Sequence, residues 1–166
     1  MQLLVAFLLI SLISNKIDAQ PDKPNVLSLE FFGKSAYYFD LNYSRKLTDH
    51  FQVGAGVGFH QSRIIRDSEG DYRIFDLSLP IFGTLVVGEG HHHMISEFGT
   101  TLGLHFGGFS PRNGFSGLTP FFSVGYEYEG EKFLFRFPLY LAFIGESEFL
   151  RPVMPWLGIS VGLQYW

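Results

Sequence analysis

Residues 154–166 read Met-Pro-Trp-Leu-Gly-Ile-Ser-Val-Gly-Leu-Gln-Tyr-Trp, and their alternation decides the fold. Leu157, Ile159, Val161, Leu163 and Tyr165 fall on one face of an extended chain. Gly158, Ser160, Gly162 and Gln164 fall on the other. A period of two, with one apolar face and one small or polar face, is the signature of a β-strand between two different environments.

The same pattern recurs through the chain. Leu27, Leu29 and Phe31 alternate with Ser28 and Glu30. Tyr37, Phe39, Leu41, Tyr43 and Leu47 oppose Tyr38, Asp40, Asn42, Ser44 and Lys46, and Phe51, Val53, Ala55, Val57 and Phe59 oppose Gln52, Gly54, Gly56, Gly58 and His60. Further on, Phe75, Leu77, Leu79, Ile81, Leu85 and Val87 share a face, with Pro80 and Phe82 as intruders on the other. Met94, Phe98, Leu102 and Leu104, then Phe122, Val124, Tyr126 and Tyr128, then Phe133, Phe135, Phe137, Leu139 and Leu141 continue it. About eight strands result, and an all-β, antiparallel up-and-down transmembrane β-barrel is expected. The links are asymmetric. Those near 48–50, 88–90 and 130–131 are very short, whereas those near 63–71, 107–117 and 145–153 are longer and more polar. Only the first link, Gly33-Lys34-Ser35, is tight on the longer side. Short turns at one end and long links at the other are the rule for membrane barrels.

Two features predict that the apolar face points outward. The opposite face carries Glu30, Asp40, Lys46, Asp76, Glu97, His105, Glu127 and Arg136, charges that need water or partners. It also carries Gly54, Gly56, Gly58, Gly99, Gly103, Gly125, Gly158 and Gly162, small residues suited to a narrow lumen. Glu30, Asp40, Asp76, Glu97, Glu127 and Arg136 are expected to fill the lumen as a paired, hydrogen-bonded plug. A narrow conduit or small-ligand site is the alternative, and a soluble lipocalin-like barrel the more distant one. Tyr37, Tyr43, Tyr126, Tyr128, Tyr165, Trp156 and Trp166 lie toward strand ends, where interfacial aromatic girdles form.

Ahead of the strands, the eleven-residue apolar run Leu3–Ile13 is too short to span a bilayer and suits the core of a secretory signal. Residues 1–19 are expected to be a signal peptide cleaved after Ala19, leaving 20–166 as a single barrel domain. The chain has no cysteine, which argues against a disulfide scaffold. Its net charge of −4 gives no footprint for nucleic acid.

The chain resembles the small outer-membrane β-barrel proteins of Bacteroidetes-type bacteria, many without an assigned function. The resemblance is carried by Leu29-Glu30-Phe31-Phe32-Gly33, Asp40-Leu41-Asn42-Tyr43-Ser44-Arg45, Gly54-Ala55-Gly56-Val57-Gly58, Glu97-Phe98-Gly99, Val124-Gly125-Tyr126, Phe135-Arg136-Phe137 and 155–162. It implies the outer membrane of a Gram-negative bacterium and contact with outer-membrane lipid. It also implies that the barrel-insertion machinery reads Leu163, Tyr165 and Trp166, although Trp166 is one residue beyond the usual spacing. The partner of the outer loops is not readable.

Three constellations bear on chemistry. His91-His92-His93 alternate in direction, so at most His91 and His93 converge, and Glu89 is the only acidic neighbour in sequence. A polar rim is expected there, with no metal centre and no cofactor. His60-Gln61-Ser62 is similar to the His-x-Ser of outer-membrane lipid A deacylases, but Arg63 follows where those enzymes carry Asn, and His60 is in lumen phase. Gly54-x-Gly56-x-Gly58 is a strand pattern and not a phosphate loop. No catalytic residue is expected, and a structural or surface-interaction role is.

Overall fold

Strands whose two faces differ so sharply must partition them between two solvents, and here they do so by pairing edge to edge into a ring. The computed structural model describes residues 24–34, 39–67, 70–106, 114–143 and 153–166. Its strands are β1 (Asn25–Phe31), β2 (Phe39–Thr48), β3 (Phe51–Asp67), β4 (Gly70–Glu89), β5 (His92–Phe106), β6 (Gly114–Glu129), β7 (Phe133–Phe143), β8 (Val153–Leu157) and β9 (Ile159–Tyr165). Neighbours pair antiparallel from β1 through β7. The ring closes where β1 pairs with β9, Leu27 opposite Leu163 and Leu29 opposite Val161.

β8 and β9 are two halves of one barrel strand. Leu139 pairs with Leu157 and Arg136 with Ser160, which is one unbroken register along β7. The break falls opposite Pro138, whose nitrogen has no hydrogen to give. Only the bond from Gly158 N to Pro138 O, at 2.8 Å, forms there. The barrel therefore has eight strands.

The lumen is polar and the outside apolar. Ser28, Asn42, Ser44, Gln52, Thr84, Ser123 and Ser160 are buried, as are Glu30, Asp40, Asp76, Glu97, Glu127 and Arg136. Leu29, Leu41, Val57, Leu85, Phe98, Phe122, Val124, Leu139 and Val161 are exposed on the outer wall. Such a wall is stable only where the outer solvent is hydrocarbon, and closure leaves no unpaired strand edge there. No helix among the described residues is long and apolar enough to cross a membrane.

The short turns follow local rules. Gly90, at φ +71, supplies the left-handed residue of the two-residue hairpin between Glu89 and His92. Asp49-His50 turns β2 into β3, with the His50 amide bonded to Thr48 Oγ1 at 3.2 Å. Tyr43, Tyr126, Tyr128, Tyr165 and Trp166 ring this end on the outer face. Tyr37 lies outside the described residues.

Three sequence expectations need correction. Trp156 is not in the girdle. It has the lumen parity of Gly158 and Ser160, stacks on Tyr140 at 5.5 Å and donates to Gly33 O at 3.0 Å. The polar stretch 63–71 is not an irregular loop. β3 and β4 stay paired to Asp67–Gly70, past a register shift between Gln61 and Arg63, because backbone ladder bonds do not need an apolar face. Among the described residues β4 pairs with β5 as far as Phe75, and beyond it β3 and β4 stay paired with each other as a two-stranded ribbon. The first link begins at Phe32, one residue earlier than the Gly33 expected. Phe32, at φ 52, turns it inward, a conformation a bulky residue adopts only where its surroundings hold it.

The face assignment has a direct test. Leu139→Arg is expected to destabilise the barrel by about 2–4 kcal/mol in denaturant titrations in bilayers. A brominated lipid should quench a fluorophore at residue 139 and leave one at 123 unaffected. Quenching at 123 alone would mean that the apolar face points inward.

Candidate functional site

Charges inside a barrel wrapped in hydrocarbon have no bulk water to solvate them, so each must find a partner across the lumen. Glu97, fully buried on β5, is where the partners meet. Its Oε2 lies 3.1 Å from Lys34 Nζ and accepts from Tyr140 OH at 2.9 Å. Ser123 Oγ approaches the same oxygen at 3.4 Å. Its Oε1 accepts from Thr84 Oγ1 at 3.1 Å and lies 3.6 Å from Arg136 Nη1.

Toward the long-link end, Lys34 hangs from the first link into the lumen. Its ammonium donates to Glu30 Oε2 at 2.8 Å and sits 4.3 Å above the Phe82 ring. Asn42 Nδ2 donates to the same Glu30 oxygen at 2.9 Å, and Tyr140 OH also approaches Glu30 Oε1. Thr101 Oγ1 bonds Lys34 O at 2.9 Å, which ties the link to the far wall. Phe82, Phe121 and Tyr140 cluster across the lumen with Trp156 against them. Gly33 is required here, since a Cβ would collide with the Glu30 side chain.

Toward the short-turn end, Arg136 donates from Nε to Glu127 Oε2 at 2.5 Å and from Nη2 to Gln52 Oε1 at 2.8 Å. Next comes Glu129, half-buried at the mouth, whose Oε1 is paired with Lys46 and accepts from Gln164 Nε2 at 3.0 Å. His93 lies beside it. The mouth opens into a depression of about 450 Å³ lined by Lys46, His50, Glu89, His93, Glu129 and Gln164 among others.

Glu30, Glu97, Glu127 and Arg136 thus lie in one connected chain, and Asp40 and Asp76 are buried and engaged as well. Sequence reading did not place Lys34 or Tyr140 in this chain. Tyr140 had lumen parity on β7, opposite Leu139 and Leu141, but an uncharged aromatic was not counted among the groups that need partners. Lys34 had no signal, because a link has no period. His91 and His92 do not join His93. His91 bonds Glu129 O and packs on Tyr128, and His92 bonds Tyr126 OH, both exposed. Nor is Glu89 the acidic partner of His93, because cross-strand pairing brings Glu127 and Glu129 to it instead. The side chains of His60, Ser62 and His105 lie outside those described. Among the described residues, His93, Glu127 and Glu129 form a group able to hold a metal, each offering an atom within 4.8 Å of the others.

No protein-family model and no curated protein sequence matches this chain. Among solved structures it is similar to the N-terminal β-barrel domain of Pseudomonas aeruginosa OprF. The TM-score is 0.52 at 13% identity, covering 85% of this chain and 95% of that one. The chain is an eight-stranded membrane β-barrel. It is also similar to the Yersinia pestis outer membrane protein Ail in a phospholipid nanodisc, with a TM-score of 0.47 at 11% identity, over 87% of this chain and all of that one.

Tyr140→Phe keeps the ring and removes the hydroxyl that Glu30 and Glu97 share. It is expected to cost about 1.5–3 kcal/mol of unfolding free energy, the range for hydrogen bonds to charged groups. An unchanged denaturation midpoint would show that this hydroxyl holds nothing.

Proposed function

We propose that the protein is an integral outer-membrane β-barrel of a Gram-negative, Bacteroidetes-type bacterium with a structural or surface-interaction role, its lumen closed to solutes. The observation that carries this reading is the cross-lumen chain from Lys34 through Glu97 to Arg136, with the Lys46–Glu129 pair below it at the mouth. Fixed charges bonded to one another across an eight-stranded interior leave little room for a water column. The aromatic cluster of Phe82, Phe121, Tyr140 and Trp156 supports closure at the long-link end. The similarity to the N-terminal β-barrel domain of OprF supports the barrel fold on which this reading rests.

On this reading the short turns face the periplasm and the long links face outside. Residues 1–19 direct export and are removed before Gln20. The barrel-insertion machinery engages Leu163, Tyr165 and Trp166 during assembly, and lipid covers the apolar wall. The ribbon formed by β3 and β4 around Arg63–Tyr72 lies at the long-link end and meets an outside partner. The protein carries no enzymatic activity of its own.

The test is electrical. Mature protein extracted from the outer-membrane fraction and placed in planar bilayers should give no ohmic steps. Regular steps of constant conductance would support the narrow-channel alternative instead. Recovery of the protein only from the soluble periplasm would overturn the membrane reading altogether.

A further inference from the structure

The three residues grouped at the inner mouth are arranged by the sheet itself. His93 on β5 and Glu127 on β6 are directly opposed partners in the ladder, and Glu129 follows two residues along on the same face. Directly opposed side chains on one face of an antiparallel pair stand about 5 Å apart at Cβ. The ligand-capable atoms of the three lie within 4.8 Å of one another. Ligands around a tetrahedral zinc at its usual bond lengths stand about 3.4 Å apart, so small rotations of these side chains close the set.

Each carboxylate is held by one oxygen and offers the other. Arg136 holds Glu127 through Oε2, and the fully buried Oε1 has no hydrogen-bond partner. Lys46 and Gln164 hold Glu129 through Oε1, and its Oε2 faces His93 Nε2 at 3.6 Å, too far for a hydrogen bond. Both ring nitrogens of His93 are buried without a partner. A buried carboxylate oxygen and an imidazole left unbonded at one spot are costly unless something binds them. Groups that fix the outer oxygen of a ligating carboxylate are the usual support of a metal site.

Space also fits. Gly88, at φ +143, lies across from His93, and a Cβ there would sit 3.2 Å from His93 Nδ1. The depression beyond Glu129 leaves room for water in the remaining coordination position.

We propose that His93, Glu127 and Glu129 bind one divalent transition-metal ion, zinc being the best match to one imidazole and two carboxylates with an open position. The site faces the periplasm and does not depend on whether the lumen conducts.

The test uses tag-free mature protein, extracted in detergent, stripped with a chelator and titrated with zinc chloride by calorimetry. Cobalt(II) titration read by visible absorption reports the coordination geometry. One equivalent of zinc per barrel is expected, with a tetrahedral or five-coordinate cobalt spectrum. His93→Ala should abolish uptake while migrating as a folded, heat-modifiable barrel. Glu127→Gln, which keeps an acceptor for Arg136, should weaken binding about tenfold or more. The double variant His91→Ala, His92→Ala should bind as the parent does. No uptake by the parent would overturn the site. So would binding that survives His93→Ala and vanishes when His91 and His92 are replaced, because the exposed turn would then be the binder.

Discussion

Inside this barrel a carboxylate has neither bulk water nor a polar wall at its back, and that constraint falls hardest on Glu97. Burying it unpaired would cost several kcal/mol, and removing one member of such a buried pair typically costs about 3–5 kcal/mol. The structure meets the constraint from both ends of the lumen. Lys34 comes down from the first link and Arg136 comes in from β7, while Tyr140, Thr84 and Ser123 take up remaining bonds. The consequence is mechanical as well as electrical. A link that would otherwise be a loose surface turn is drawn into the lumen, pinned by Thr101 and Trp156, and becomes part of the interior.

The wall obeys the opposite constraint. Its exposed Leu, Val and Phe side chains demand hydrocarbon, so the sheet must close and every backbone group along it must pair. Pro138 would break such a sheet, yet it costs one bond only, because Gly158 opposite still donates to its carbonyl. The aromatic belt gathers at the short-turn end, where Tyr43 donates to Asn25 across the seam between the first strands. Beyond the hydrocarbon the constraint lapses, and there β3 and β4 stay paired with each other as a ribbon.

Strand content, closure and the inverted polarity were legible because a period of two reports both the strand and its two environments. Leu157 to Tyr165 alone carried that reading. What escaped it lay where the period stops. Lys34 sits in a link, and nothing local distinguishes a lysine bound for the lumen from one bound for water. Trp156 was misplaced because residue type, an aromatic near a strand end, was given more weight than its even-numbered parity. The 63–71 ribbon was missed because polar strands outside a membrane lose the alternation and keep only the backbone ladder. The neighbours of His93 were illegible for another reason. Glu127 and Glu129 are far along the chain and come opposite only through the register of β5 on β6.

The closed interior depends on the anchoring of the first link to Glu97 through Lys34. A double-mutant cycle on unfolding free energy, with Lys34→Met, Glu97→Gln and the pair together, measures that contact apart from every other role of the two residues. A coupling energy of about 0.5–3 kcal/mol is predicted, as for groups in one ion network. Additivity within about 0.5 kcal/mol, the behaviour of sites that do not touch, would contradict it.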